Sequence, residues 1–167
     1  MPEHHLHTEL ALFVFQLNHT QKASGNLARQ PQSLDLKEAT AVSLIGMLLC
    51  VGGEFLRKLA VFTAKTNFNH VVQSVHEEGH QLVTHGVYNY CRHPSYVGWF
   101  YWSIGTQLIL VNLVCIVAYV VASWKFFNER VFIEENMLLH FFGDDYYQYQ
   151  KRVSTGLPFI LGYKLEL

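Results

Sequence analysis

VGWFYWSIGTQLILVNLVCIVAYVVASW, from Val97 to Trp124, contains no Asp, Glu, Lys or Arg. Crossing the hydrocarbon core of a bilayer takes about 20 apolar residues in a helix, and this stretch is longer than that. Gln107 and Asn112 lie near its middle. Two readings follow: one long tilted helix, or a helical hairpin that turns near Asn112. The hairpin is preferred, because its second helix can continue through Trp124 to about Phe132. Both ends then emerge on one side, where Arg92, Lys125, Arg130, Lys151 and Arg152 collect. The positive-inside rule makes that side cytosolic.

Upstream, the run from Thr40 to Gly53 is free of charge. It resumes after Glu54 and the Arg57-Lys58 pair and continues to Ala64. That is another spanning length, and Asp35 with Glu38 offers a capping-box start for it. Between the two apolar regions, Asn67 to Gln73 is polar, with Phe68, Val71, Val72 and Val75 at helical spacing. Glu77 to Tyr90, with Gly79 and Gly86, reads as a surface loop. Downstream, Asn128 to Phe142 is helical and stops at Gly143. Asp144 caps a Tyr-rich amphipathic helix that lasts to about Val153, and Thr155-Gly156-Leu157-Pro158 ends it. Residues 1-33 read as irregular. The expected fold class is all-α: a polytopic membrane protein with about three transmembrane helices, amphipathic C-terminal helices and no Rossmann domain, since no strand leads into GxGxxG.

Composition agrees with this reading and narrows it. Of 167 residues, 50% are hydrophobic and 15% charged, where a soluble domain carries nearer a quarter charged. A formal net charge of -1 provides no basic patch for nucleic acid. Cys50, Cys91 and Cys115 are odd in number and widely spaced, as reduced thiols in apolar surroundings would be. The short run from Leu10 to Leu17 follows His and Glu rather than Lys or Arg, which is not a signal peptide. Asn18-His19-Thr20 is treated as a chance sequon.

The chemistry concentrates around His80-Gln81-Leu82-Val83-Thr84-His85-Gly86-Val87-Tyr88 and Tyr90-Cys91-Arg92-His93-Pro94-Ser95-Tyr96-Val97-Gly98. Imidazoles, phenols and a guanidinium crowd the entrance of a membrane helix, with Pro94 suited to its first turn. Such an entrance can hold an anionic group at the membrane surface. An aromatic interface belt with a helix-capping His is the plainer alternative. Further along, Arg130 and Glu134 stand one helical turn apart and project from one face. Read alone, they are an i,i+4 surface pair.

In combination and in this order, RHPSYVGWFYWSIGTQ (Arg92 to Gln107), FLRKLAVFTAKTNFNHVVQ (Phe55 to Gln73), LVTHGVYNYCRHPSY and the Glu134-Glu135 pair with FFGDDYYQYQKRVSTGLPFI resemble the isoprenylcysteine carboxyl methyltransferases. The likeness runs from about Leu34 to the C-terminus, dividing the chain into a poorly matching segment (1-33) and a membrane methyltransferase domain (34-167). The resemblance implies S-adenosylmethionine-dependent methylation of the C-terminal carboxylate of prenylated cysteine in CaaX-processed proteins, small GTPases among them. It places the enzyme in the endoplasmic reticulum membrane as a multi-pass protein with a cytosol-facing active site. Carried onto matching positions, it assigns cofactor binding to Gln73, His80, Gln81, Leu82, Val83, Tyr88, His93, Pro94, Ser95, Tyr96 and Glu134. Arg130 would hold the substrate carboxylate, so that Arg130 and Glu134 are the catalytic pair and no metal is needed. Glu129 and Glu135 are expected to be solvated or pairing neighbours. The family has further membrane helices before the matched region, which implies an N-terminally shortened form.

Other readings compete. His76-Glu77-Glu78-Gly79-His80 spells HExxH, the pattern of a zinc metalloprotease, but Gly79 and the Thr84-His85-Gly86 turn oppose a helix running past His80. Cys91 beside Arg92 is a candidate for a lowered pKa, with no acyl-transfer triad to accompany it, so a buried structural thiol is expected. Gly46, Gly52, Gly53, Gly98 and Gly105 are expected to permit close helix packing. Trp99, Tyr101 and Trp102 read as interface anchors or as the lining of a prenyl route, and Arg57-Lys58 as an interface anchor. A non-catalytic membrane interaction protein derived from such an enzyme is the alternative function, and a sterol reductase a weaker one.

Overall fold

The computed structural model describes residues 36–68, 81–110 and 113–163. Four α-helices are present among them: α1 (Leu36–Ala64), α2 (Pro94–Ile109), α3 (Leu113–Phe142) and α4 (Asp144–Arg152). Short 3₁₀ turns occupy Lys65–Asn67 and Gly86–Asn89, and no strand occurs among the described residues. Asp35, Val71, Val72, Val75, Asn112 and residues 1-33 lie outside them. All contacts below belong to the compact unit that begins at Ser43.

Helix α1 has 29 residues, about 44 Å at 1.5 Å per residue, and comfortably exceeds a bilayer core. Lys37–Ala64 is the stretch long and apolar enough to cross a membrane, and only 11% of its apolar window is buried within the protein. Leu48, Val51, Phe55 and Phe62 stand exposed along it. In water such a surface is a liability; in lipid it is matched to its solvent.

The other face of α1 is built for backbone approach. A Cβ on Gly46 would lie 2.7 Å from the Gly105 carbonyl oxygen, and one on Gly53 2.4 Å from that of Gly98. The pairing of 46 with 105 and 53 with 98 makes α1 and α2 antiparallel, with the glycines two turns apart on each helix. Lipid supplies no hydrophobic drive between helices, so close van der Waals contact at small residues has to hold them. The Cys50 thiol donates to the Trp102 carbonyl at 3.6 Å and Ser43 Oγ to that of Ile109 at 3.3 Å along the same seam. Gly52 departs from expectation: nothing lies within 4 Å of its would-be Cβ, so it is no part of the contact.

Helices α2 and α3 form the expected hairpin. Trp99 meets Phe126 and Phe127 edge-on at 5.6 and 5.3 Å, and deeper along the pair Ser103 and Ser123 hydroxyls lie 3.4 Å apart. The helix expected to end near Phe132 and the one expected over Asn128 to Phe142 are a single helix of 30 residues. Asn128, Glu129 and Arg130 include no helix breaker, so the return of charge does not end α3. Gly143, at φ 51, turns the chain into α4. Gly143 itself occupies the N-cap position without a side-chain cap bond, and Asp144 is the first helical residue rather than the cap. Acidic Asp144 and Asp145 at the start and basic Lys151 and Arg152 at the end complement the dipole of α4. Its buried Tyr146 and Tyr149 pack on Leu139 of α3.

Candidate active site

Pro94 at the first helical position starts α2, and His93 occupies its N-cap without making a side-chain cap bond. That leaves the imidazole for other partners. His93 Nε2 lies 3.0 Å from Glu135 Oε1 and Nδ1 lies 3.8 Å from Glu134 Oε1. Its ring stacks on Tyr96, one turn later, at 5.5 Å and 6°. The Tyr96 hydroxyl donates to Glu134 Oε2 at 2.5 Å and accepts from Arg130 Nε at 3.1 Å. Arg130 and Glu134, one turn apart on α3, are thus bridged by a phenol from α2. Arg130 is 5% exposed, whereas the Glu134 side chain is 28% exposed. A buried cation and a half-open anion therefore stand side by side around one hydroxyl. Such a site can hold a small anion and a small cation next to each other.

Behind this group sits a second carboxylate, and Glu129 and Glu135 take the two expected alternatives, solvent and a pairing partner. Glu129 is exposed, but Glu135 is completely buried. Its Oε1 accepts from Arg92 Nε at 2.7 Å and from His93 Nε2. Its Oε2 accepts from Gln150 Nε2 at 3.0 Å and the Tyr163 amide at 2.9 Å. Burial favours the neutral acid, but the hydrogen bonds and charges of His93 and Arg92 outweigh it and hold the carboxyl below its ordinary value. Arg92, counted as one of the surface cations, is itself buried. Its guanidinium also donates to the carbonyls of Gln150 and Leu161, each at 3.2 Å, and of Val153. Residues 153–163 are drawn across the helix entrance by these bonds and by the Arg92 and His93 amides, which donate to Ser154 and Thr155 carbonyls at 2.8 and 3.2 Å.

Two glycines permit that approach. Gly162, at φ +77, would place a Cβ 1.9 Å from Glu135 Oε2, and Gly156, at φ +89, would place one 2.6 Å from the Cys91 Cβ. Both positions demand a left-handed backbone and lack of a side chain together. They are the sequence signal that locates the strap over Glu135: Gly156 reads in sequence only as part of a helix stop, and Gly162 carries no local signal at all. Cys91 is a half-buried free thiol whose value burial pushes up, in line with the structural thiol expected of it and not with a reactive one.

The expected site residues divide. His93, Tyr96, Arg130 and Glu134 converge, with Pro94 buried and Ser95 half-buried at the same helix start. Tyr88 is tied to α1 through the Ala60 carbonyl at 3.5 Å, and its own carbonyl accepts from Tyr149 Oη at 2.5 Å. Leu82 packs against the Leu139, Tyr146 and Tyr149 cluster. Gln81 is exposed, its amide donating to Asn67 Oδ1 at 2.9 Å, and Val83 is half-buried. Gln73, His76, Glu77 and His80 lie outside the described residues. Of the basic and aromatic candidates, Arg57 lies over the Trp99 ring at 5.7 Å, Lys58 pairs with Glu54 at 3.4 Å, and Tyr101 and Trp102 are exposed.

Comparison with known proteins places this arrangement. A model of the isoprenylcysteine carboxyl methyltransferase (ICMT) family matches residues 44–140. The protein-S-isoprenylcysteine O-methyltransferase of Tribolium castaneum is 62% identical over 130 residues, 78% of this chain and 46% of the relative. The Homo sapiens protein of that name is 57% identical over 133 residues, 80% of this chain and 47% of the relative. A solved structure of the eukaryotic intramembrane Ras methyltransferase ICMT superposes with a TM-score of 0.75 and 61% identity, covering 77% of this chain and 46% of that one. The chain spans about half the length of these relatives. The family match covers α2, all but the last residues of α3 and the helix entrance that gathers His93, Tyr96, Arg130 and Glu134, and the chain belongs to the isoprenylcysteine carboxyl methyltransferase family.

Proposed function

We propose that this chain methylates the C-terminal carboxylate of a prenylated cysteine, using S-adenosylmethionine, at the cytosolic face of the endoplasmic reticulum membrane. Prenylated CaaX proteins of the small GTPase type are the proposed substrates. The observation that carries the reading is the Arg130–Tyr96–Glu134 chain, a cation and an anion joined by one hydroxyl at the mouth of a membrane helix. The donor set fits the cofactor: a half-open carboxylate beside stacked His93 and Tyr96 rings suits a cationic, adenine-bearing ligand. Gln73, residues 80–83, Tyr88, residues 93–96 and Glu134 are the proposed cofactor contacts. When bound, that group supplies an electrophilic methyl on a sulfonium.

The protein's own residues then have modest tasks. A cysteine carboxylate is ionised at neutral pH, so no general base is required. Arg130 holds and orients it through charge-assisted hydrogen bonds. Tyr96 fixes the spacing between Arg130 and Glu134, and Glu134 faces the cationic donor. Exclusion of water from the carboxylate and alignment for in-line displacement supply the acceleration. Separate binding measurements test this division of labour. Glu134→Gln should raise the cofactor Kd with little change in substrate KM, and Arg130→Ala should do the reverse. Unchanged values in both variants would refute the assignment. Cofactor binding without turnover in the unmodified chain would favour the non-catalytic interaction form.

A further inference from the structure

Phe159 is 91% exposed, more than Phe62 at 75% on the lipid-facing side of α1, and Leu161 is 67% exposed. Neither side chain has a task in the site described above. The segment that presents them is nevertheless well anchored. Thr155, Leu157 and Ile160 are buried, Thr155 Oγ1 donates to the Ile160 carbonyl at 2.5 Å, and the Ile160 amide donates to the Leu157 carbonyl at 3.4 Å. Phe159 itself has φ 60, a left-handed conformation that a bulky residue adopts only when its surroundings impose it. The backbone is thus held in an unfavourable state that points an aromatic side chain outward.

One further bond ties the tip to α3. Trp124 Nε1 donates to the Pro158 carbonyl at 3.1 Å. Trp124 is the last residue of the charge-free stretch of α3, and Lys125 follows it. Pro158 is therefore fastened at the level where α3 passes from apolar to charged surroundings. Tyr101 of α2, also exposed, borders the same cavity of about 680 Å³ as Phe159 and Leu161, and exposed Lys151 and Arg152 line it too. Exposed aromatic and apolar groups beside exposed cations, next to the end of the charge-free stretch, suit a bilayer interface.

We infer that Phe159 and Leu161 form an interfacial anchor that inserts into the phospholipid headgroup–acyl boundary beside the α2–α3 hairpin. The anchor fastens residues 153–163, and with them the Arg92–Glu135 contact, to the membrane surface. Its occupant is lipid rather than protein, because its level is set by the end of the apolar layer and its flanks are basic.

The test uses the full chain reconstituted in vesicles of phosphatidylcholine with phosphatidylserine. The substitution Phe159→p-benzoylphenylalanine is photolysed and its adducts are identified by mass. The same substitution at exposed Gln148 of α4 is the aqueous reference, and at Phe62 of α1 the lipid reference. At least tenfold more phospholipid adduct at 159 than at 148, approaching the yield at 62, is expected. Equal yields at 159 and 148, or adducts mapping to peptides of this chain or of a second copy, would overturn the proposal. Phe159→Ser with Leu161→Ser gives an independent readout: amide exchange of residues 157–161 in vesicles should rise about tenfold while the α2–α3 hairpin is unchanged. Unaltered exchange would equally overturn it.

Discussion

Replacing Glu135 by alanine removes the acceptor for four donors at once: Arg92 Nε, His93 Nε2, Gln150 Nε2 and the Tyr163 amide. Arg92 is buried and would keep its charge, with three backbone carbonyls as its remaining partners. Breaking a buried ion pair from one side typically costs about 3–5 kcal/mol, because the other charge is left uncompensated. The variant should therefore lose about that much in denaturant unfolding of the detergent-solubilised or bicelle-embedded protein. Glu135→Gln keeps the shape but presents an amide donor to other donors, and each buried group left unsatisfied costs about 1–3 kcal/mol. A second substitution isolates the contact. Gly162→Ala alone drives a Cβ toward Glu135 Oε2 and places alanine at φ +77. Once Glu135 is alanine, the steric part of that cost vanishes and only the backbone part remains. The double variant should be less damaged than the sum of the singles by more than about 0.5 kcal/mol, as touching residues are. A loss under about 1 kcal/mol for Glu135→Ala, or strict additivity with Gly162→Ala, would refute the reasoning.

Acid should act through the same carboxylate. Its folded value lies below its ordinary value of 4.5, so its contribution is complete above about 4.5 and fades as pH falls through the lower folded value. Stability of the unmodified chain should thus fall more steeply below pH 4.5 than that of Glu135→Gln, and parallel curves would contradict this. Tyr96→Phe removes the hydroxyl between Arg130 and Glu134; at about 1–3 kcal/mol this lowers kcat/KM for methyl transfer by about 5- to 150-fold. Gly98→Ala sets a Cβ 2.4 Å from the Gly53 carbonyl oxygen and should cost about 1–3 kcal/mol by overpacking, whereas Gly52→Ala meets nothing and should be neutral or slightly stabilising. Equal unfolding midpoints for these two variants would remove the glycine seam from the account.

The hairpin was legible because an uncharged run too long for one span has few other solutions, and the antiparallel glycine seam because small residues recur on facing helices. The single long α3 was not, since Glu129 and Arg130 break the apolar run and make Asn128 to Phe142 look like a separate helix when seen in sequence alone. Within the site, His93, Tyr96, Arg130 and Glu134 followed from the resemblance, and their convergence needed only α2 and α3 to pack antiparallel. Glu135 escaped because adjacent helical residues point about 100° apart: one faces Tyr96 and the open site, the other faces α4 and residues 153–163. Nothing near Glu135 in the chain announces a strap that returns from 28 residues later. Its only local trace is the pair of glycines at 156 and 162, whose meaning depends on what they approach.

The most direct test of the central claim is transfer of labelled methyl from S-adenosylmethionine to an S-farnesylcysteine substrate by this chain in lipid bilayers. Transfer that falls at least a hundredfold in Arg130→Ala, with membrane insertion intact, is the predicted result. Transfer at full rate in both Arg130→Ala and Glu134→Ala would contradict the account.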